Sequence, residues 1–379
     1  MRPFVARVRA VEDVSPSFRR ITLRSREFAR LAPNGLDQPI HLMIPNEDGP
    51  QGWHQLVGSS DWFADWCAQP AGIGNHLRTY TLRDFNPRTR QVVLDIVVGR
   101  DGPTGPGVRW AERAAVGDRV MLIGPDARHP RSDVGVRFRP GSAAGALLIS
   151  DEAGLPAVAS IIQSCDPALW IAAFVEVPTV DDFLDIPCRP NAYVSWASRD
   201  GWAGESVAGE GHRVWRQLGF ESARVGETLV RRLQRWLDLR RQGTLVVGGS
   251  DPACPAVNAP QLARCGNVTD IVRGPFGRRK PYYGQVAPGG GTAGAGTAGA
   301  VGAAGAAGGA AGGVPGEGGF DVPLYAWIAG EERTQQAVID ILDVDTITAT
   351  RYWRAPRGPE GADASRVSDA PAAGEHAAV

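Results

Sequence analysis

The stretch Arg78-Thr79-Tyr80-Thr81-Leu82-Arg83 sets two cations, a flat aromatic ring and two small hydroxyls in six residues of strand-like pattern. Alternation along an extended strand sends Arg78, Tyr80 and Leu82 to one side and Thr79, Thr81 and Arg83 to the other. A flavin dinucleotide calls for such a set. Its pyrophosphate takes a guanidinium, its isoalloxazine ring an aromatic face, and its N5 edge a small hydrogen-bonding group. Thr and Tyr are also good strand formers, so an ordinary strand with exposed arginines is the competing reading.

A second phosphate-competent element follows at close range. After the strand-like Gln91–Val98 comes Gly99-Arg100-Asp101-Gly102-Pro103-Thr104-Gly105-Pro106-Gly107-Val108-Arg109-Trp110-Ala111-Glu112. Glycines let a backbone approach an anion closely, and Pro106 or Gly107 would open a helix whose first N–H groups face it. Alone, the segment reads more readily as a Gly/Pro hairpin loop with no ligand. An arginine–aromatic strand followed by a glycine turn into a helix points more specifically to a flavin reductase architecture.

The elements that must position these residues form two halves. Residues 1–140 read as an all-β half, a sandwich or a six-stranded antiparallel β-barrel, from Phe4–Val11, Phe18–Arg24, Ile40–Ile44, Leu77–Leu82, Gln91–Val98 and Arg119–Ile123. These short segments are separated by Gly, Pro, Asp or Asn, as in small barrels. Trp53 to His76, with Trp62, Phe63 and Trp66, reads as a packed excursion over one end of the barrel. Residues 145–355 read as an α/β domain with a mainly parallel sheet. Ala146–Ser150, Trp170–Val175, Asn191–Trp196, Thr244–Val247 and Leu324–Ala329 are its expected strands. Thr228–Arg241 is an amphipathic helix with Leu229, Leu233, Trp236 and Leu237 on one stripe, and Glu332–Leu342 is a further helix. Gly284 to Gly319 is nearly all Gly, Ala, Thr and Pro and is expected to be a disordered insertion; residues 356–379 are expected to be a disordered tail.

Composition narrows the function. The 379 residues are 43% hydrophobic, enough for a sizeable core in two domains. Forty basic against 41 acidic residues leave a formal net charge of −1, which gives no electrostatic case for nucleic acid or for stable membrane association. Lys280 is the only lysine; the arginine bias fits a GC-rich genome. Cys67, Cys165, Cys188, Cys254 and Cys265 are spread out, with no C-x-x-C pair. Neither a disulfide framework nor a zinc or iron–sulfur site is expected, and no metal ligands are assigned. The first residues lack a signal-peptide core and no apolar run approaches the roughly 20 residues of a membrane helix, so a cytoplasmic location is expected.

In this order, the motifs resemble those of the siderophore-interacting protein family, FAD-dependent ferric-siderophore reductases related to ferredoxin reductases. The resemblance covers residues 1 to about 175 and about 323 to 354. Arg78 to Arg83 matches the family's R-x-Y-T-x-R, Gly105-Pro106-Gly107-Val108-Arg109-Trp110-Ala111 its G-P-A-S-x-W-A, and Asp37-Gln38-Pro39-Ile40-His41-Leu42 its D-Q-x-x-K-L. Ser150 to Ala157 is similar to the D-E-T-A-L-P-A turn, Trp327-Ile328-Ala329-Gly330-Glu331 to W-x-A-G-E, and Tyr352-Trp353-Arg354 to the terminal G-Y-W-R. Val108 stands where the family has a Ser, which leaves phosphate contact to Thr104 or backbone N–H groups. His41 stands at a common lysine position, and Arg351 where Gly usually precedes Tyr-Trp-Arg.

The resemblance implies FAD as cofactor, NADH or NADPH as electron donor and a ferric siderophore as substrate. It implies that Arg78 meets the pyrophosphate, Tyr80 the flavin ring or ribityl region, and Thr81 the N5 edge as the catalytic contact. Thr79, Arg83, Asp95, Val97 and Trp110 join the cofactor-binding set, with Arg83 flanking the phosphates or the entrance. Gly102, Thr104, Gly105 and Gly107 cradle phosphate. Asp151, Glu152, Gly330 and Glu331 line the nicotinamide cleft; turn and capping chemistry is the alternative role for these four. Trp353 and Arg354 would pack the C-terminus over the flavin cleft, with plain core packing the equal alternative for the Trp. A general NAD(P)H:flavin oxidoreductase and a non-enzymatic flavin-fold binding protein share the same motifs and stay open at this point.

Overall fold

A computed structural model describes residues 1–241 and 324–353, apart from 46–48, 50, 71–74, 100–104, 131, 133–134, 190, 208–210, 219–221, 343 and 345. The expected strand at Thr244–Val247, the Gly284–Gly319 insertion, the 356–379 tail, Gly102, Thr104 and Arg354 lie outside the described residues, as does the side chain of Trp353.

The first half is a curled antiparallel sheet, a half-barrel. Its strands are β1 (Arg2–Ser15), β2 (Phe18–Arg24), β3 (Pro39–Ile44), β4 (His76–Thr81), β5 (Asp84–Asn86), β6 (Gln91–Val97) and β7 (Arg119–Gly124), in the spatial order β4-β3-β7-β1-β2-β6-β5. That is one strand more than the six read from the sequence. The extra one, β5, has three residues, too few for a period of two to register. Register shifts at Val8/Ala10 and Asp13/Ser15 break the long β1, the bulges that let a sheet curl. Phe4, Ile21, Leu42, Leu94 and Leu122 fill the inner core. The Trp53 to His76 excursion holds two short helices, α1 (Trp53–Leu56) and α2 (Trp62–Cys67). They lay Trp53, Leu56 and Trp62 against Met43, Leu77, Met121 and Ile123 on the sheet's other face. Helix α3 (Pro106–Arg113) follows β6 and buries Trp110 and Ala111 in the barrel core.

The second half is an α/β domain. Its elements are β8 (Gly145–Ser150), α4 (Leu155–Ser164), β9 (Trp170–Val177), β10 (Ala192–Ser198), β11 (Trp202–Val207), β12 (Gly211–Gln217), α5 (Glu227–Arg241), β13 (Leu324–Glu331), α6 (Glu332–Ile341) and β14 (Thr346–Trp353). The sheet order is β12-β11-β10-β9-β8-β13-β14. Strands β10, β9, β8, β13 and β14 run parallel, while β11 and β12 add antiparallel at one edge. That hairpin was not expected from the sequence, because Gly204, Glu205 and charged neighbours give it little β-branched character. The central strands are buried on both faces, which explains their continuous apolar runs. Leu155, Val158 and Ile161 of α4 cover one face. The expected stripe of Leu229, Leu233, Trp236 and Leu237 on α5 covers the other, with Val338 of α6.

The halves meet through one apolar plug and several polar contacts. Phe18, at the start of β2, is fully buried within the core cluster of the α/β domain. Burying a Phe stabilises by roughly 1.5–3 kcal/mol. Asp37, buried ahead of β3, accepts the Arg137 and Phe138 amides (both 3.1 Å) and the Trp327 indole Nε1–H (3.0 Å). Leu36 N donates to Ser164 Oγ at 2.6 Å. Replacing Asp37 with Ala leaves three donors short of an acceptor in a buried place. The variant is expected to lose at least ~2 kcal/mol of unfolding free energy in a urea titration.

Candidate functional site

Alternation in β4 has the consequence expected of it. Arg78 and Tyr80 share the face turned toward α3, as the contacts of Gly107 show. A Cβ on Gly107 would stand 2.4 Å from Tyr80 Oη and 3.4 Å from Arg78 Cγ. Only a residue without a side chain lets the first turn of α3 lie this close to the tyrosine. Pro106 opens the helix behind Gly105, which has no side chain to cap it, so among the described residues no side chain caps the start of α3. Tyr80 is half-buried and packs its other side on the barrel core.

His76 lies two residues before Arg78, on the same face. Burial lowers its pKa below the ordinary value, and the charges of Arg78 and Arg109 lower it further. Two guanidinium groups thus act on one imidazole near the opening of a helix, which makes this face electropositive. Sequence reasoning missed His76 and Arg109. The period-2 rule that paired Arg78 with Tyr80 reaches back to His76, whereas Arg109 becomes a neighbour only through the docking of α3.

The opposite face of β4 has other business. Thr79 Oγ1 is 2.8 Å from His41 Nδ1, and the His41 ring lies 6.4 Å from that of Trp62. Thr81 ends the strand, 6% exposed. Arg83, expected to flank phosphates or the entrance, is instead 3% exposed. It donates from Nη1 to Gln163 Oε1 at 2.6 Å and has Nε 3.7 Å from Asp95 Oδ2. Asp95 is buried and takes a two-pronged contact from Arg20, at 2.8 and 3.0 Å. Val97 pairs with Phe18 and packs on the α/β core. Trp110 lies in the barrel core. The sequence set therefore divides. Arg78, Tyr80, Gly105 and Gly107 gather at the mouth of α3, while Arg83 and Asp95 form a buried ionic group at the seam.

In the α/β half, β8 has β9 on one side and β13 on the other, which makes the carboxyl ends of β8 and β13 a topological switch point. Asp151, Glu152, Gly330 and Glu331 all lie there. Asp151 accepts the Ala153 and Glu331 amides, both at 2.8 Å. Gly330 has φ +140°, and a Cβ there would stand 2.7 Å from Asp151 Cγ. The Glu331 carboxylate caps α6 through the Arg333 and Thr334 amides at 2.7 and 3.0 Å. Glu152 is ion-paired with Arg199 at 2.9 Å, and Glu176 reaches the same guanidinium at 3.3 Å. Burial works against the Arg199 charge, but the two carboxylates outweigh it and raise its pKa. Turn, capping and ionic contacts thus occupy the three carboxylates around a glycine-lined edge.

Two family profiles match the chain in order: the siderophore-interacting FAD-binding domain over residues 7–129 and the siderophore-interacting protein over 143–263. The chain belongs to the siderophore-interacting protein family. An uncharacterized protein of Mycobacterium tuberculosis is 30% identical over 197 residues, 51% of this chain and 64% of its own, so the match stops short of two thirds of that relative. The ferric vibriobactin reductase of Vibrio cholerae is 27% identical over 123 residues, 32% of this chain and 42% of its own. A siderophore utilization protein from T. fusca has the same fold, with a TM-score of 0.53 at 18% identity, covering 96% of this chain and 95% of its own. Among the described residues, no helix is long and apolar enough to cross a membrane.

The barrel half of this family binds FAD, and the residues at the mouth of α3 suit that group. A guanidinium and the first amides of a helix match a pyrophosphate, and the glycine lets the helix start lie against the tyrosine. An anion docked there favours the charged form of His76. Its pKa, followed by NMR titration, is expected to rise when inorganic pyrophosphate is added; an unchanged value would put the anion elsewhere. Gly107→Ala is expected to displace the Tyr80 ring and weaken FAD binding about tenfold, a loss of ~1.4 kcal/mol, read by fluorescence titration.

Proposed function

We propose that this protein is a ferric-siderophore reductase that draws electrons from NADH or NADPH through FAD and releases ferrous iron. The reading rests on the face shared by Arg78 and Tyr80 against Gly107, in a chain whose family binds FAD and includes relatives named as ferric-siderophore reductases. Balance requires one NAD(P)H for two ferric chelates: the donor leaves as NAD(P)+, one proton is released, and each Fe(III) gains one electron. Bound FAD supplies the chemistry that joins a two-electron donor to one-electron acceptors.

The chain's own residues do the holding. Arg78 and the Gly105–Gly107 backbone bind the pyrophosphate, and the electropositive His76–Arg109 face adds attraction for it. Tyr80 lies along the ribityl or ring region. Thr81, which ends β4, would offer its hydroxyl to the N5 edge; Thr79 is engaged by His41. The switch point at Asp151, Glu152, Gly330 and Glu331 would receive the nicotinamide nucleotide, with Gly330 letting the Asp151 carboxylate close on the turn that shapes it.

The test is anaerobic reduction with NADH or NADPH followed by a ferric siderophore and a ferrous-iron trap. The expected result is bleaching of the flavin absorbance, then its return with two trapped ferrous ions per donor consumed. Bleaching that no ferric chelate reverses would favour a general flavin oxidoreductase. A colourless protein that takes up no FAD would favour the non-enzymatic reading. Arg78→Ala is expected to weaken FAD retention by at least ~10-fold, as loss of a charge-assisted contact implies.

A further inference from the structure

The seam holds a second buried carboxylate that the reading above does not use. Asp182, fully buried in the segment after β9, gathers five donors among the described residues. Its Oδ1 accepts from Ser15 Oγ at 2.7 Å and Ser17 N at 2.9 Å. Its Oδ2 accepts from Ser17 Oγ at 2.8 Å, Thr179 Oγ1 at 2.9 Å and Thr179 N at 3.2 Å. Three donors come from the turn between β1 and β2, two from the α/β half. An acceptor-only group suits five donors; an amide would turn one N–H against another.

What the carboxylate joins is more telling than the contacts themselves. On the barrel side, Ser17 O accepts Val98 N at 2.9 Å, and a Cβ on Gly99 (φ +65°) would stand 3.3 Å from Pro16 O. The Ser15–Phe18 turn therefore touches the start of the glycine bend that leads to α3. On the other side, Thr179 follows the carboxyl end of β9, and Val180 N donates to Asp200 just beyond β10 at 3.1 Å. A run of short polar contacts thus links Val98, just past the end of β6, through Ser17, Asp182 and Thr179 to the carboxyl ends of β9 and β10. Phe18 secures the same turn from within the α/β core.

We propose that Asp182 is a positioning residue for electron transfer between the two halves, holding the nicotinamide edge at a set distance from the flavin bend. The proposal rests on the flavin–nicotinamide reading above. Because Asp182 lies outside the cradle at Arg78, Tyr80 and Gly107, its loss should spare FAD binding and slow only the step that crosses the seam.

Full-length Asp182→Ala and Asp182→Asn, loaded with FAD, test this. Both are expected to keep wild-type FAD affinity, and their chemically reduced forms to be reoxidised by ferricyanide at the wild-type rate. At saturating NAD(P)H, flavin bleaching is expected to slow at least ~10-fold in the Ala variant, as misplacement of reacting groups implies, with Asn in between. The long-wavelength absorbance of a stacked flavin–nicotinamide pair should weaken in parallel, and the Ser17 and Thr179 amides should exchange hydrogen faster. Should Asp182→Ala fail to fold, Ser17→Ala, which removes one donor, is read the same way. A folded variant with faster exchange but wild-type bleaching at saturating donor overturns the positioning role. Wild-type protein that binds FAD yet is reduced by neither nicotinamide removes the functional reading instead, and the proposal falls with it.

Discussion

The approach of α3 to β4 is the constraint on which the site depends. Tyr80 Oη occupies the space that a side chain at position 107 would need, so the helix reaches the strand only because Gly107 has none. That approach brings the first amides of α3 beside Arg78 and makes Arg109 a neighbour of His76. Four weak features of the sequence become one anion-attracting face. Trp110, one turn further along α3, anchors the helix in the barrel core and so holds the face in place.

The seam between the halves is built by different means. Apolar burial is concentrated at Phe18, while orientation comes from carboxylates that collect several neutral donors each. Packing alone is tolerant of small rotations, whereas hydrogen bonds with directional donors are not. Asp37 ties the linker and β13 to the barrel, and Asp182 ties the β1–β2 turn to the end of β9. A reaction that crosses from one half to the other needs such directional contacts more than it needs area.

At the switch point two carboxylates and a glycine hold one turn together. Asp151 binds the Glu331 amide, Gly330 lets it come near, and Glu331 caps α6. The turn and capping role weighed from the sequence is therefore filled by Asp151 and Glu331. Arg199 and Glu176, which the sequence did not mark, complete the edge because strands distant in the chain are adjacent in the sheet.

Local pattern carried much of this. A period of two in β4 determined that Arg78 and Tyr80 share a face, and continuous apolar runs in β8 and β13 determined a doubly covered parallel sheet. The stripe of α5 likewise followed from 3.6-residue spacing. These are properties of neighbours along the chain, where geometry is set by backbone rise and twist. Whether Arg83 would meet phosphate or Asp95 and Gln163 was not such a property. It depended on which elements pack at the seam, and burial there makes an ionic partner necessary. The fates of Asp37, Asp182 and Arg109 likewise follow from contacts between residues far apart in sequence, which only the folded chain brings together.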